Sequence, residues 1–239
     1  MILLVRGDRE FLATPGDEVH TDLGVIDVPA SVDPGQTVET HLGEPFTVRE
    51  LRGPDLFNHL QRTGAPMMPK DIGLVVGHTG AAADDRVLDA GTGTGVLAAY
   101  LGRMGANVVT YERDPEFADV ARDNMELADV AENVDVRTGD ITDHVDDLSG
   151  FDLLTLDTES APTVVEHADD VLVSGGYVAV YSPFVENARD AELAARDAGL
   201  TDVETLETIQ REMDLGERGS RPSTAGVGHT GYLLFARKP

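Results

Sequence analysis

Hydrophobic and polar positions change their period along this chain. Over residues 1 to about 50 the apolar runs are short: MILLV, EFLAT, VIDVP and TVETHLGEPFTVREL, with Pro, Gly and Asp between them. Short runs punctuated by turn residues predict a small all-β module. From 55 to 80 the pattern is helical in two pieces, broken around TGAPMMPKDIG. Beyond that point strand-like and helix-like segments alternate. RVLDAG, NVVTYER, NVDVRTGD, FDLLTLDT and GGYVAVYSP read as strands; GVLAAYLGRMG, PEFADVARDNMELA, APTVVEHADDVL and VENARDAELAARDAG read as helices. Such alternation builds a doubly wound parallel sheet. The last two strands, DVETLETI and GYLLFARK, have no helix between them and predict an antiparallel hairpin at the sheet edge. The pattern predicts an α/β chain of two parts, residues 1–54 and 55–239.

The turn between the first strand of the alternating region and its helix is DAGTGTG. It places Gly91, Gly93 and Gly95 at G-x-G-x-G, with Val96 where a dinucleotide fingerprint needs its third glycine. That fingerprint seats a pyrophosphate on a helix N-terminus. The tighter spacing, with Asp89 two positions before the first glycine, suits a ligand without phosphate. S-adenosylmethionine is such a ligand: an amino acid, a sulfonium, a ribose and an adenine. Glycine lets the backbone approach it closely. Three more acids stand where strands stop, the end at which such sheets bind ligands. Glu112 is placed to accept the ribose hydroxyls, and Asp140 to accept the adenine amino group. Asp157 lies next to the expected chemistry. Val96, Arg113 and Ile141, neighbours on the same turns, complete the expected donor contacts.

Charge alters the picture of the surroundings. The chain has 44 acidic and 18 basic residues, a net charge of −26, and only Lys70 and Lys238 are lysines. The regular apolar periodicity argues for a folded protein with an acidic, lysine-poor surface, as expected in a high-salt cytoplasm. In strong salt, acidity no longer argues against a nucleic-acid partner, because phosphate attraction is weak for every protein there. Cysteine is absent, which excludes disulfides and thiolate chemistry. No apolar run approaches membrane-spanning length. The histidines show no metal-ligand spacing.

With these residues in view, the chain resembles the tRNA (adenine-N1) methyltransferases that modify the T-loop. The resemblance runs through HTDLGVID (20–27), MPKDIGLV (68–75), VLDAGTGTG (87–95), VVTYERDPEFADVARDN (108–124), VVEHADDVLVSGGYVAVYSP (164–183) and GHTGYLLFARK (228–238). It implies a Rossmann-like S-adenosylmethionine-dependent methyltransferase domain behind a small N-terminal β-domain, in a homotetramer. It also implies methylation at N1 of tRNA adenine 58, and of adenine 57 in archaeal members. Asp157 matches the family's catalytic aspartate, and Glu112 and Asp140 match its ribose and adenine ligands. Where the family continues that aspartate as D-L-P-x-P-W, this chain has DTESAPT; where many members carry Tyr or His before P-K-D, it has Met68. Both positions lie near the target base in the family.

Tyr181 in VYSP is either a core aromatic or a platform for that base. The segment 210–232, with Arg211, Arg218 and Arg221 among glycines, is either an RNA-contacting loop or an ordinary surface loop. Lys70 is a candidate for positioning the pocket loop against substrate. Two further readings compete with the tRNA enzyme. One is a methyl-donor enzyme acting on a small molecule or protein, against which the N-terminal β-module and GHTGY argue. The other is a tRNA-binding subunit that has lost the donor, against which the intact glycine turn and Asp157 argue.

Overall fold

The structure is a computed structural model that describes residues 1–226 and 228–239; Val227, within the segment expected to contact RNA, lies outside the described residues. The chain divides into two compact units, Met1–Leu60 with Leu127–Asp129, and Gln61–Glu126 with Val130–Pro239.

The first unit is built from β1 (Ile2–Arg6), β2 (Arg9–Ala13), β3 (Glu18–Thr21), β4 (Gly24–Asp27), β5 (Thr37–Glu39), β6 (Pro45–Glu50) and α1 (Gly53–His59). β2, β1, β6 and β5 form an antiparallel sheet in that order. Ile2, Leu4, Ile26, Phe46 and Val48 pack as its core. The HTDLGVID motif folds as the β3–β4 hairpin, in which the Thr21 hydroxyl donates to the Gly24 carbonyl at 2.7 Å. A side chain at Gly24 would meet the His41 ring at 3.0 Å, and the His41 Nδ1 accepts the Val25 N–H at 2.9 Å. The motif is therefore a packed turn. Asp55 begins α1 by accepting the Arg52 N–H at 2.7 Å.

The second unit contains α2 (Pro69–Thr79), β7 (Arg86–Ala90), α3 (Val96–Arg103), β8 (Asn107–Glu112) and α4 (Pro115–Leu127, its last residue grouped with the first unit). It continues through β9 (Val134–Thr138), β10 (Phe151–Leu156), α5 (Ala161–Val165), α6 (Ala168–Val171), β11 (Leu172–Ser182) and α7 (Val185–Asp197). It ends with β12 (Thr201–Glu207), β13 (Met213–Gly216), β14 (Gly219–Pro222) and β15 (Tyr232–Arg237). Seven strands form one sheet in the order β12-β15-β11-β10-β7-β8-β9. Strands β9, β8, β7, β10 and β11 run parallel; β15 is antiparallel to both its neighbours. Leu88, Leu154, Val178, Val180 and Leu234, all buried, belong to the core between sheet and helices. The central strands are near-continuous apolar runs because both faces are covered.

Three local expectations need correction. The helix read over APTVVEHADDVL is two short helices, α5 and α6, separated at Glu166 and His167. The closing strands do pair antiparallel, but β15 inserts between β11 and β12, so only β12 lies at the edge. The arginine-bearing segment is not simply a loop: β13 and β14 pair as a hairpin, Met213 opposite Pro222. Its strands carry too few apolar residues to announce themselves.

Successive strands lead outward from β7 in one direction and from β10 in the other. The crevice at the carboxyl ends of β7 and β10 is therefore the switch point at which open α/β sheets bind ligands.

Candidate active site

A cleft of about 450 Å³ opens at that switch point. Asp89, Gly91, Gly93, Gly95, Val96, Glu112, Arg113, Asp140, Ile141 and Asp157 all line it, so every expected donor-site residue meets there. The spacing of the glycines has a direct cause. Gly91 has φ +86°, and a Cβ there would lie 2.0 Å from the Asp157 carbonyl oxygen. The Asp157 N–H in turn donates to the Ala90 carbonyl at 2.9 Å, so the two strand ends are joined where the ligand crevice begins. Gly93 and Gly95 also adopt positive φ, which only glycine does readily.

The carboxylates differ in what they do. Asp89 is buried and accepts hydrogen bonds from the Thr110 and Thr155 hydroxyls, each at 2.5 Å. Thr110 has spent its only proton, so Thr92, 2.5 Å away, donates to it. Asp89 thus ties β7 to β8 and β10; burial pushes its pKa upward despite the two hydroxyl donors. Glu112 accepts the Gly93 N–H at 2.9 Å and the Asp114 N–H at 3.1 Å. It therefore sets the glycine turn while keeping lone pairs for a ligand. Asp140 caps a single 3-10 turn, accepting the Thr142 N–H at 3.0 Å and its hydroxyl at 2.8 Å through one oxygen. Those bonds hold its pKa below the usual range. Asp157 is pushed up to about 7, chiefly by burial and then by the charges of Asp89 and Glu112.

Such a site favours a cation and repels phosphate. The Gly93 amide, which could otherwise cradle a phosphate oxygen, is already committed to a carboxylate. S-adenosylmethionine, with its sulfonium and ammonium, suits this donor set.

Several contributors were not visible in the sequence. The buried Asn124 accepts the Gln61 N–H at 2.9 Å and donates to the Gln61 and Thr94 carbonyls at 2.9 and 2.8 Å, pinning the glycine turn. Glu159 lines the cleft and takes the Arg113 guanidinium at 2.6 Å, so Arg113 faces a protein carboxylate across the opening. Met67 lines the cleft, whereas Met68 is the N-cap of α2 and does not.

The remaining expected residues lie outside the cleft. Tyr181, near the end of β11, is half-buried and donates to the Thr230 carbonyl at 2.5 Å. Its pKa is pushed up to about 12 by burial and by the charges of Asp71 and Asp157, so its hydroxyl stays protonated and is no general base. Lys70 is corrected from a substrate contact: its ammonium donates to Asp71 at 2.6 Å, Thr230 at 2.7 Å and the Thr208 carbonyl at 2.9 Å, which uses all three protons. Arg211, Arg218 and Arg221 are exposed, Arg221 at 3.5 Å from Asp214 across the hairpin. Among the described residues no group of His, Asp and Glu could hold a metal, and no helix is long and apolar enough to cross a membrane.

Comparison with known families supplies the deciding observation. Residues 54–219 match the family described as the tRNA methyltransferase complex GCD14 subunit. This chain belongs to that family. Similar proteins include a tRNA (adenine(57)-N(1)/adenine(58)-N(1))-methyltransferase TrmI of Methanocaldococcus jannaschii, 32% identical over 98% of this chain and 93% of that one. A tRNA (adenine(58)-N(1))-methyltransferase TrmI of Thermus thermophilus is 28% identical over 100% of this chain and 96% of that one. Among solved structures, a SAM-dependent O-methyltransferase of Thermotoga maritima superposes with a TM-score of 0.83 at 27% identity, covering 99% of this chain and 92% of that one. The tRNA (m1A58) methyltransferase TrmI of Aquifex aeolicus superposes at 0.77 and 23% identity, covering 100% and 96%. The fold is that of the Rossmann-like S-adenosylmethionine-dependent methyltransferases.

Proposed function

We propose that this GCD14-family chain transfers a methyl group from S-adenosylmethionine to N1 of adenine 58 of the tRNA T-loop, and to adenine 57 as well. The observation that carries the reading is the near-full-length similarity to a TrmI that acts on both positions, joined to an acidic cleft at the switch point. Tested with unmodified tRNA transcripts, wild-type protein methylates at 57 and 58. A transcript with G at both positions accepts no methyl group; equal labelling of that transcript contradicts the reading.

The residues divide the work. Glu112 and Asp140 orient the ribose and adenine of the donor, and Asp89 holds the three strands that carry the cleft. Bound S-adenosylmethionine supplies the methyl group on a sulfonium. The target adenine must leave its stack to reach it, at a cost of a few kcal/mol. Asp157 accepts a hydrogen bond from the exocyclic amino group of that adenine and stabilises the positive charge that develops as N1 is methylated. Alignment of N1 with the sulfonium carries much of the remaining rate.

Replacing Glu112 with Ala is expected to weaken donor binding by ~10- to 150-fold, since a charged hydrogen bond contributes roughly 1.5–3 kcal/mol. tRNA affinity changes much less. Calorimetry showing unchanged donor affinity would remove Glu112 from the site.

The Asp157 carboxyl gives a pH signature. It must be ionised to act, and in the free protein it titrates at about 7. kcat/KM therefore rises through neutral pH and levels off above it. The donor's positive charge favours the carboxylate, so the acid limb of kcat lies at lower pH. A flat kcat/KM profile from pH 6 to 8 contradicts this assignment.

The acidic surface supports one further part of the proposal, that the protein works in a high-salt cytoplasm; the homotetramer rests on the family resemblance alone. In strong salt little counterion release is left to drive RNA binding. Arg218 and Arg221 on the exposed hairpin, and Arg211 just before it, then act as geometric donors to phosphates and bases. Changing all three to Ala is expected to reduce tRNA affinity about tenfold even in molar salt, with donor affinity unchanged. Equal tRNA binding by the triple variant would exclude the hairpin as the RNA contact.

A further inference from the structure

One of the chain's two lysines is buried, and so is the carboxylate beside it. The side chains of Lys70 and Asp71 are 8% and 2% exposed and sit at the first turn of α2. A buried ion pair is weak evidence for stability by itself, since desolvation offsets much of the attraction. Its geometry points elsewhere. Lys70 reaches the Thr208 carbonyl, just past the end of β12, and the Thr230 hydroxyl, just before β15; that hydroxyl donates to the second Asp71 oxygen at 3.0 Å. Three acceptors from separate segments, met by one nitrogen, suit the three protons of an ammonium better than the planar fork of arginine. That fits a lysine at this position in a chain that otherwise uses arginine almost throughout.

The residue that the pair grips is the one that holds Tyr181. The Thr230 carbonyl accepts the Tyr181 hydroxyl, and the side chain packs against Gly231, where a Cβ would come within 2.5–2.8 Å of two ring carbons and the hydroxyl oxygen. On the other side His229 pairs with Glu207 at 2.7 Å and approaches the Pro183 carbonyl at 3.3 Å, so the segment is fastened at both flanks. Tyr181 follows Val180, which pairs with Leu156 across the parallel β10–β11 ladder, so it stands at the strand end next to Asp157, and the charges of Asp71 and Asp157 both act on its hydroxyl.

We propose that Lys70, Asp71 and Thr230 form a positioning unit that sets the Tyr181 ring beside Asp157 as the wall against which the acceptor base is held. This rests on the methyltransferase reading above, and it assigns the PKD and GHTG motifs a joint task on the acceptor side, away from the donor. Its members touch neither substrate directly; they act through Tyr181.

The experiment is a double-variant cycle read in molar salt, with Asp71→Asn, Tyr181→Phe and the two combined. Each single variant is expected to lower single-turnover methyl transfer at least tenfold, with donor affinity by calorimetry within twofold of wild type. The combined variant should be little slower than either alone, because both changes release the same ring. Should Asp71→Asn fail to fold, Thr230→Val takes its place, removing the hydroxyl that joins the pair while keeping the carbonyl. Hydrogen exchange gives a readout independent of turnover: amides of 229–233 exchange faster in the Asp71 or Thr230 variant while those of 91–97 do not change. Multiplicative losses in the combined variant, or equal loss of donor affinity, overturn the proposal. Wild-type protein that methylates no tRNA overturns the underlying reading instead, a result the exchange data do not mimic.

Discussion

Asp157→Asn is expected to slow single-turnover methyl transfer by ~30- to 1,000-fold while leaving donor affinity within about threefold. The change keeps shape and removes charge. A preorganised group facing developing charge contributes roughly 2–4 kcal/mol in a site that excludes water. Asp157 is placed for this by β10, and the Gly91 turn closes onto its backbone. The same variant should be more stable than wild type above neutral pH. In the folded protein the Asp157 pKa is raised from 3.8 to about 7, so the protonated form is the favoured one. Stability from that preference is fully present below pH ~4 and is lost as pH rises through about 7. Asn does not titrate. Its advantage over wild type therefore grows between pH 4 and 7 to ~2–4 kcal/mol, after discounting for water in the cleft. Thermal midpoints at pH 5 and pH 8 measure this. A variant that keeps wild-type rate within threefold, or gains no stability at pH 8, contradicts the role given to Asp157.

Dilution of salt is expected to unfold the protein. With a net charge of −26, its carboxylates repel one another over a Debye length near 30 Å at 0.01 M salt and ~3 Å at 1 M. The ion pairs offer little relief. Arg9–Asp22, Arg113–Glu159 and Arg137–Asp135 are all substantially exposed, and exposed pairs contribute only ~0–1 kcal/mol each. Circular dichroism in molar potassium chloride should show the full fold, and stepwise dilution should lose it. A cooperative native transition of unchanged midpoint in dilute buffer contradicts the high-salt reading.

The parts of this fold that repeat a simple pattern were legible in the sequence. Buried strands such as LLTL and VAVY announce themselves, and strand-end acids fall in register, so Glu112, Asp140 and Asp157 could be placed at the carboxyl edge from the pattern alone. The elements that escaped depend on partners distant in sequence. Nothing local marks Thr110 and Thr155 as donors to Asp89, because they meet it only when three strands align. Asn124 looks like a polar helix residue until Gln61 and Thr94 are brought to it. Lys70 looks available for substrate because two of its three acceptors lie 138 and 160 residues away. The β13–β14 hairpin has all eight residues exposed and thus no hydrophobic alternation to read.

The most direct test is to incubate the protein in molar salt with isotope-labelled S-adenosylmethionine and unmodified tRNA, digest the RNA to nucleosides, and identify the labelled one by mass spectrometry. The expected result is 1-methyladenosine from the T-loop as the sole labelled nucleoside, formed far more slowly by Asp157→Asn; label in any other nucleoside, or none in RNA at all, would contradict it.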